Sequence, residues 1–167
     1  AVAHLLKAGI EDTPDPVTGL SDIDLAANFM RLLAPPAPLR STASSLAGAR
    51  VFDQAGCAAC HTPTLFTASH PVPALANQPV ALYSDLLLHD MGPLGDGIAQ
   101  AAAGPREMRT APLWGLRLRP AYLHDGRATT VTQAVLAHDG QAAPSRARFQ
   151  GLSAAEQRQL LDFLNTL

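Results

Sequence analysis

Gly56-Cys57-Ala58-Ala59-Cys60-His61 holds every cysteine of this 167-residue chain. Two thiols stand three residues apart, and an imidazole follows the second directly. Three chemistries use such a cluster. A thioredoxin-like redox pair follows a strand in a βαβ context, whereas the flanks here have helical periodicity. A structural zinc site takes four ligands, and the other five histidines are scattered singly. Covalent haem attachment uses C-x-x-C-H, and its spacing has a mechanical reason. Each thiol must reach one vinyl group on the same porphyrin edge, and the following histidine then lies under the iron. Cys57 and Cys60 are therefore expected to attach one covalent haem c, and His61 to bind its iron.

The length allows one domain with a real core, or one domain and an appendage. Aromatic residues are few, at 5%. The 14 prolines and 12 glycines put much of the backbone in turns and loops. A formal charge of −2 offers no basic face for nucleic acid. No apolar run approaches the roughly 20 residues of a membrane span. The opening AVAHLLKAGI lacks a basic n-region and a cleavage site, as in a mature protein or a fragment.

Outward from the motif, SSLAGARVFDQAG (44–56) reads as a helix ending at Gly56, with Leu46, Ala49 and Phe52 at helical spacing. Gly48 and Phe52 resemble the Gly-x-x-x-Phe of the first helix in many cytochromes c, where the glycine permits close helix contact. Phe52 precedes the first cysteine by five residues rather than the common four, so the local turn must differ. GLSAAEQRQLLDFLNTL closes the chain as a helix. Ser153 and Glu156 form a capping box. Leu160, Leu164 and Leu167 make one stripe, widened by Leu161 and Phe163. Residues 1–40 read as a helical extension, or the tail of a preceding domain. Ser21 caps its helix, and Ile23, Ala26, Met30 and Leu33 line the face expected to pack on the haem domain. The haem domain is expected over 41–167.

The stretch 107–140 carries a wider resemblance. Arg109-Thr110-Ala111-Pro112-Leu113, Tyr122-Leu123-His124-Asp125-Gly126 and Val131-Thr132-Gln133-Ala134-Val135 follow in the order of three motifs. These resemble the second half of the bacterial di-haem cytochrome c peroxidase family. YSDLLLHDMGPLGDG (83–97) is more similar to its di-haem oxidoreductase branch, also labelled thiol oxidoreductases. The resemblance covers about residues 20–167. That family carries two haems and this chain one C-x-x-C-H, so the resemblance implies the C-terminal haem domain alone.

A haem c iron takes Met or His opposite its first histidine, or stays open and reactive. Candidates are Met30, Met91, Met108 and His4, His70, His89, His124 and His138. His138 is the first choice. Thr130 and Gln133 read as a capping box and Gly140 as a stop, which frames a short helix over 131–138. Val131, Val135 and His138 then share one stripe, so the imidazole points inward and needs a partner. In the resembling peroxidases the distal ligand lies at the end of the matching helix. Met91, in a glycine-rich loop, is the competitor. His89 and His124 are expected to support loops around the haem edge, His124 with Asp125 and Arg127. Arg106, Arg109, Arg117, Arg119 and Arg127 crowd the stretch expected to wrap the haem, and one or two should meet its propionates. Trp114 is placed beside the haem, as an electron relay or as a plain core indole.

These readings converge on an all-α, cytochrome c-like domain with long irregular loops. Its expected function is electron transfer, within a di-haem peroxidase-like oxidoreductase. The alternative is a peroxidase in its own right, with an open iron and Glu107 or His124 as acid–base group. A redox partner protein or a second haem domain is the expected partner. Haem c is attached outside the bacterial cytoplasm, so the periplasm is the expected compartment.

Overall fold

Side-chain caps start four of the helices. The structure, a computed structural model, describes residues 14–167. Two compact units divide the chain, Ala1–Pro35 and Pro36–Leu167. His4 lies outside the described residues. In the first unit, Ser21 caps α1 (Asp22–Leu32) and exchanges hydrogen bonds with Asp24. α1 contains no buried residue, and Ile23, Met30 and Leu33 are at least half exposed.

In the second unit, Thr42 caps α2 (Ala43–Gln54) in a reciprocal box with Ser45. The last helix, α5 (Ala154–Leu164), starts at the expected box of Ser153 and Glu156. Between them lie α3 (Val131–Ala137) and α4 (Ala143–Gly151). At α3 the expected box is half formed. Thr130 accepts from the Gln133 N–H, but the Gln133 side chain reaches one residue further back, to the Thr129 N–H.

α2 packs against α5, and Gly48 sets the approach. A Cβ at Gly48 would lie 1.8 Å from the Gln159 carbonyl oxygen and 2.8 Å from the Phe163 Cβ. The face of α2 that this buries is Ser45, Gly48, Val51 and Phe52, while Leu46 points out at 57% exposure. Phe52 and Val51 form the core with Phe149, Leu160, Phe163, Leu164, Leu116 and Leu167. Each such side chain contributes about 1.5–3 kcal/mol of transfer free energy. Five of the eight aromatics gather here. Phe52, Tyr83 and Phe163 meet edge-on, with ring centroids 5.4–5.9 Å apart. Residues 36–40 are tied into this unit. The Leu39 N–H donates to Thr166 O, and the Arg117 guanidinium donates to Leu167 O and Ala37 O.

The all-α expectation is overturned by two small antiparallel sheets among long loops. β1 (Leu65–Phe66) pairs with β2 (Pro79–Val80), and β3 (Leu88–Asp90) with β4 (Glu107–Arg109), His89 opposite Met108. A chain so rich in proline and glycine runs long without helix, and its backbone groups find partners across these short ladders. The architecture is mixed: five helices and two two-stranded sheets among the described residues.

Candidate functional site

The cysteine motif folds as one tight turn at the end of α2. Gly56 takes a left-handed φ of 80°, and a Cβ there would meet the Arg148 guanidinium at 2.5 Å. A 3-10 turn over Cys57–Ala59 follows, and the His61 N–H donates back to Cys57 O at 2.9 Å. Cys57, Cys60 and His61 consequently face one cavity of about 390 Å³. That volume lies in the roughly 300–1,000 Å³ range of cofactor pockets. Phe52, Leu113, Leu116, Leu160 and Leu164 supply an apolar wall.

Burial pushes the Cys57 thiol up to about 11 and also raises Cys60. An attacking redox thiol needs the opposite shift, so the thioredoxin-like reading loses its chemistry here.

His61 donates its Nδ1–H to the Tyr83 carbonyl at 3.0 Å. Burial holds its pKa below the usual histidine value, the carbonyl working in the other direction. Tyr83 adopts a left-handed φ of 52°, which costs a bulky residue on the order of 1 kcal/mol and aims this carbonyl. His138, the residue that ends α3, donates its own Nδ1–H to Ala134 O at 2.7 Å. Each ring thus keeps Nε2 as its lone-pair donor, the arrangement in which imidazole binds metals. The two rings line the same cavity with centroids 6.4 Å apart and planes at 50°.

Metal–imidazole bonds run about 2.0–2.1 Å, and the centroid lies roughly 1.1 Å behind the nitrogen, so two rings facing across one ion stand about 6.2–6.4 Å apart. Two imidazoles at that spacing, two thiols in the same lining and an apolar wall fit a haem.

Val131 and Val135 share the cavity wall with His138. Met91 and Met108 also reach it. Met30 lies on α1, and exposed His70 accepts the Val72 N–H. Of the five arginines, Arg109 and Arg119 reach the cavity wall. Arg106 pairs with Asp90, Arg127 with Asp125, and Arg117 holds backbone carbonyls. Trp114 is half-buried and is not part of the wall. Glu107 is also absent from the wall and accepts the Gly104 N–H at 2.7 Å. His124 is exposed at the rim.

Four contributors were not read from the sequence. Arg146 of α4 lines the cavity and pairs with Asp139 at 3.2 Å. The Tyr83 carbonyl is invisible in a sequence. Asp85 accepts from His89 Nε2 at 2.8 Å, an i,i+4 spacing that was available. Gln141 meets His89 from the other side. Cys60, Asp85 and His89 are close enough to share a metal ion. Such a site would leave Cys57, His61 and His138 unemployed, whereas the haem arrangement uses them all.

A family model described as "Di-haem oxidoreductase, putative peroxidase" matches residues 7–167. No curated protein matches the chain. Among solved structures, hydrazine synthase of Kuenenia stuttgartiensis, pressurised with xenon, matches with a TM-score of 0.61 at 19% identity. The match covers 93% of this chain and 59% of that one, so this chain spans well under two thirds of its length. At that identity the likeness is one of fold. With both histidines in one cavity wall and a family match over nearly the whole length, this chain belongs to the di-haem oxidoreductase family.

Proposed function

We propose that this chain is an electron-transfer haem domain, with one haem c bound covalently through Cys57 and Cys60 and its iron held between His61 and His138. The spacing of the two imidazoles carries this reading: 6.4 Å between centroids, each Nδ1 already committed to a carbonyl. A bound haem supplies a one-electron couple at its iron. The chain's residues set the conditions for it. Tyr83 and Ala134 orient the rings and hold their protons on Nδ1, which turns Nε2 toward the iron's place. Phe52, Leu116 and Leu160 exclude water. Arg109, Arg119 and Arg146 are the cations within reach of the propionates. With two ligands on the iron no position is left for peroxide, so the chain passes electrons to a redox partner or a second haem domain. Covalent attachment of this type is made outside the bacterial cytoplasm, which supports a periplasmic location.

A second reading, a peroxidase with an open iron, draws on α3. That helix has seven residues and none buried, so His138 stands on an element that can yield. The optical spectrum separates the two. Electron transfer predicts a low-spin ferric form that peroxide leaves unchanged, with poor steady-state turnover. A high-spin form that peroxide converts, with sustained turnover by this chain alone, would contradict it.

A further inference from the structure

His138 is held from both sides, and the side beyond the helix is built on Gln141 and His89, which line the cavity but hold neither the iron nor the attachment edge in this reading. At His138 the backbone has already left the helix, with φ −58° and ψ 132°, and its N–H reaches Val135 O at 3.2 Å. A seven-residue helix with no buried side chain fixes such a residue weakly. The turn that follows is anchored far better. Gln141 Oε1 receives the Asp90 N–H at 3.1 Å, and His89 Nδ1 lies 3.2 Å from the same oxygen. A backbone N–H can only donate, so it is the oxygen of this amide that faces the loop.

Gly140 presses backbone to backbone at the same place, with a left-handed φ of 57°. A Cβ on it would lie 2.2 Å from Asp90 O and 2.7 Å from Gly92 N. The other side of the contact is firm, because Asp90 ends β3 in its ladder with β4 and the Met91 N–H donates to Arg106 O at 2.8 Å. His89 in turn is held by Asp85, two residues beyond the Tyr83 carbonyl that orients His61.

We propose that Gln141 is a positioning residue that straps the turn after His138 to the loop of His89–Gly92 and so gauges the distance of His138 from His61. The strap rests on the reading of His138 as the distal ligand. Beside this contact the Met91 backbone is held separately, its N–H on Arg106 O.

The test is cyanide binding to the ferric holoprotein, with the unfolding midpoint recorded beside it. Gln141 is exposed, so its loss should lower the unfolding free energy by no more than the weakening of the distal bond, far less than an unfolded variant shows. Gln141→Ala should raise cyanide affinity about tenfold, which corresponds to a distal bond weakened by about 1.4 kcal/mol. Gln141→Glu keeps an oxygen for the Asp90 N–H and should bind cyanide like the wild type. Wild-type affinity in Gln141→Ala, or a Gln141→Glu as loose as Gln141→Ala, would overturn the strap. His138→Ala is the reference. If it opens the iron and Gln141→Ala does not, only the strap falls. If it changes nothing, the ligand reading falls and takes the strap with it. Should Gln141→Ala fail to mature, Gly140→Ala drives a Cβ into Asp90 and must loosen His138 in the same direction. Wild-type affinity there would equally overturn the strap.

Discussion

His61 and His138 spend their Nδ1 protons on the carbonyls of Tyr83 and Ala134, and this single habit sets their chemistry. Imidazole donates density to the iron and favours the ferric state, whereas a Met thioether is softer and raises the potential. His138→Met should therefore raise the midpoint potential by roughly 100–200 mV, or about 2–5 kcal/mol for one electron, and bring in the weak far-red band of an iron–thioether bond. His138→Ala should open the iron to cyanide, and Met91→Ala should leave the ferric spectrum nearly unchanged. Redox titration and ligand binding read all three. If Met91→Ala opens the iron and His138→Ala does not, the two ligands are reversed. Side chains such as Cys57, Cys60 and His61 announce themselves by type and spacing. The carbonyls that hold the rings do not, because every residue has one and only the fold says where it points. Tyr83 shows the difference well. Its contribution is a left-handed backbone, which an aromatic side chain does nothing to advertise.

Among elements, the crossing of α2 and α5 carries the site, since it sets Phe52 and Leu160 behind the haem cavity. Gly48→Ala would place a methyl 1.8 Å from a backbone oxygen, and backbone cannot swing aside as a side chain can. The helices must separate, at about 3 kcal/mol, the upper end of the usual overpacking cost. A denaturant titration of the holoprotein should show the unfolding free energy falling by that amount, and an unchanged value would mean that the crossing is looser than it stands here. The helices were legible because a period of 3.6 and paired caps repeat over ten or more residues, as at Ser153 and Glu156. Their buried faces were less so. Leu46 shares a spacing with Ala49 and Phe52 yet faces out, since the small Ser45 and Gly48 make the contact surface instead. The sheets were not legible at all. Strands of two or three residues are too short to show an alternation, and their pairing answers the needs of loop backbone rather than a side-chain pattern.

For the molecule as a whole, the haem count is the point on which the rest depends. The family is a di-haem one, and this chain has two cysteines, enough for one C-x-x-C-H attachment. No helix among the described residues is long and apolar enough to cross a membrane. The second unit assembles its wall from α2, the β3–β4 region, α3, α4 and α5, so that each contributes to a single cavity. The most direct measurement is the intact mass of the denatured holoprotein, beside the Cys57→Ala, Cys60→Ala double variant. The account predicts the chain plus one haem that acidified solvent does not extract, and no retained haem in the variant. A denatured chain at its bare mass, with its haem extracted freely, would contradict it.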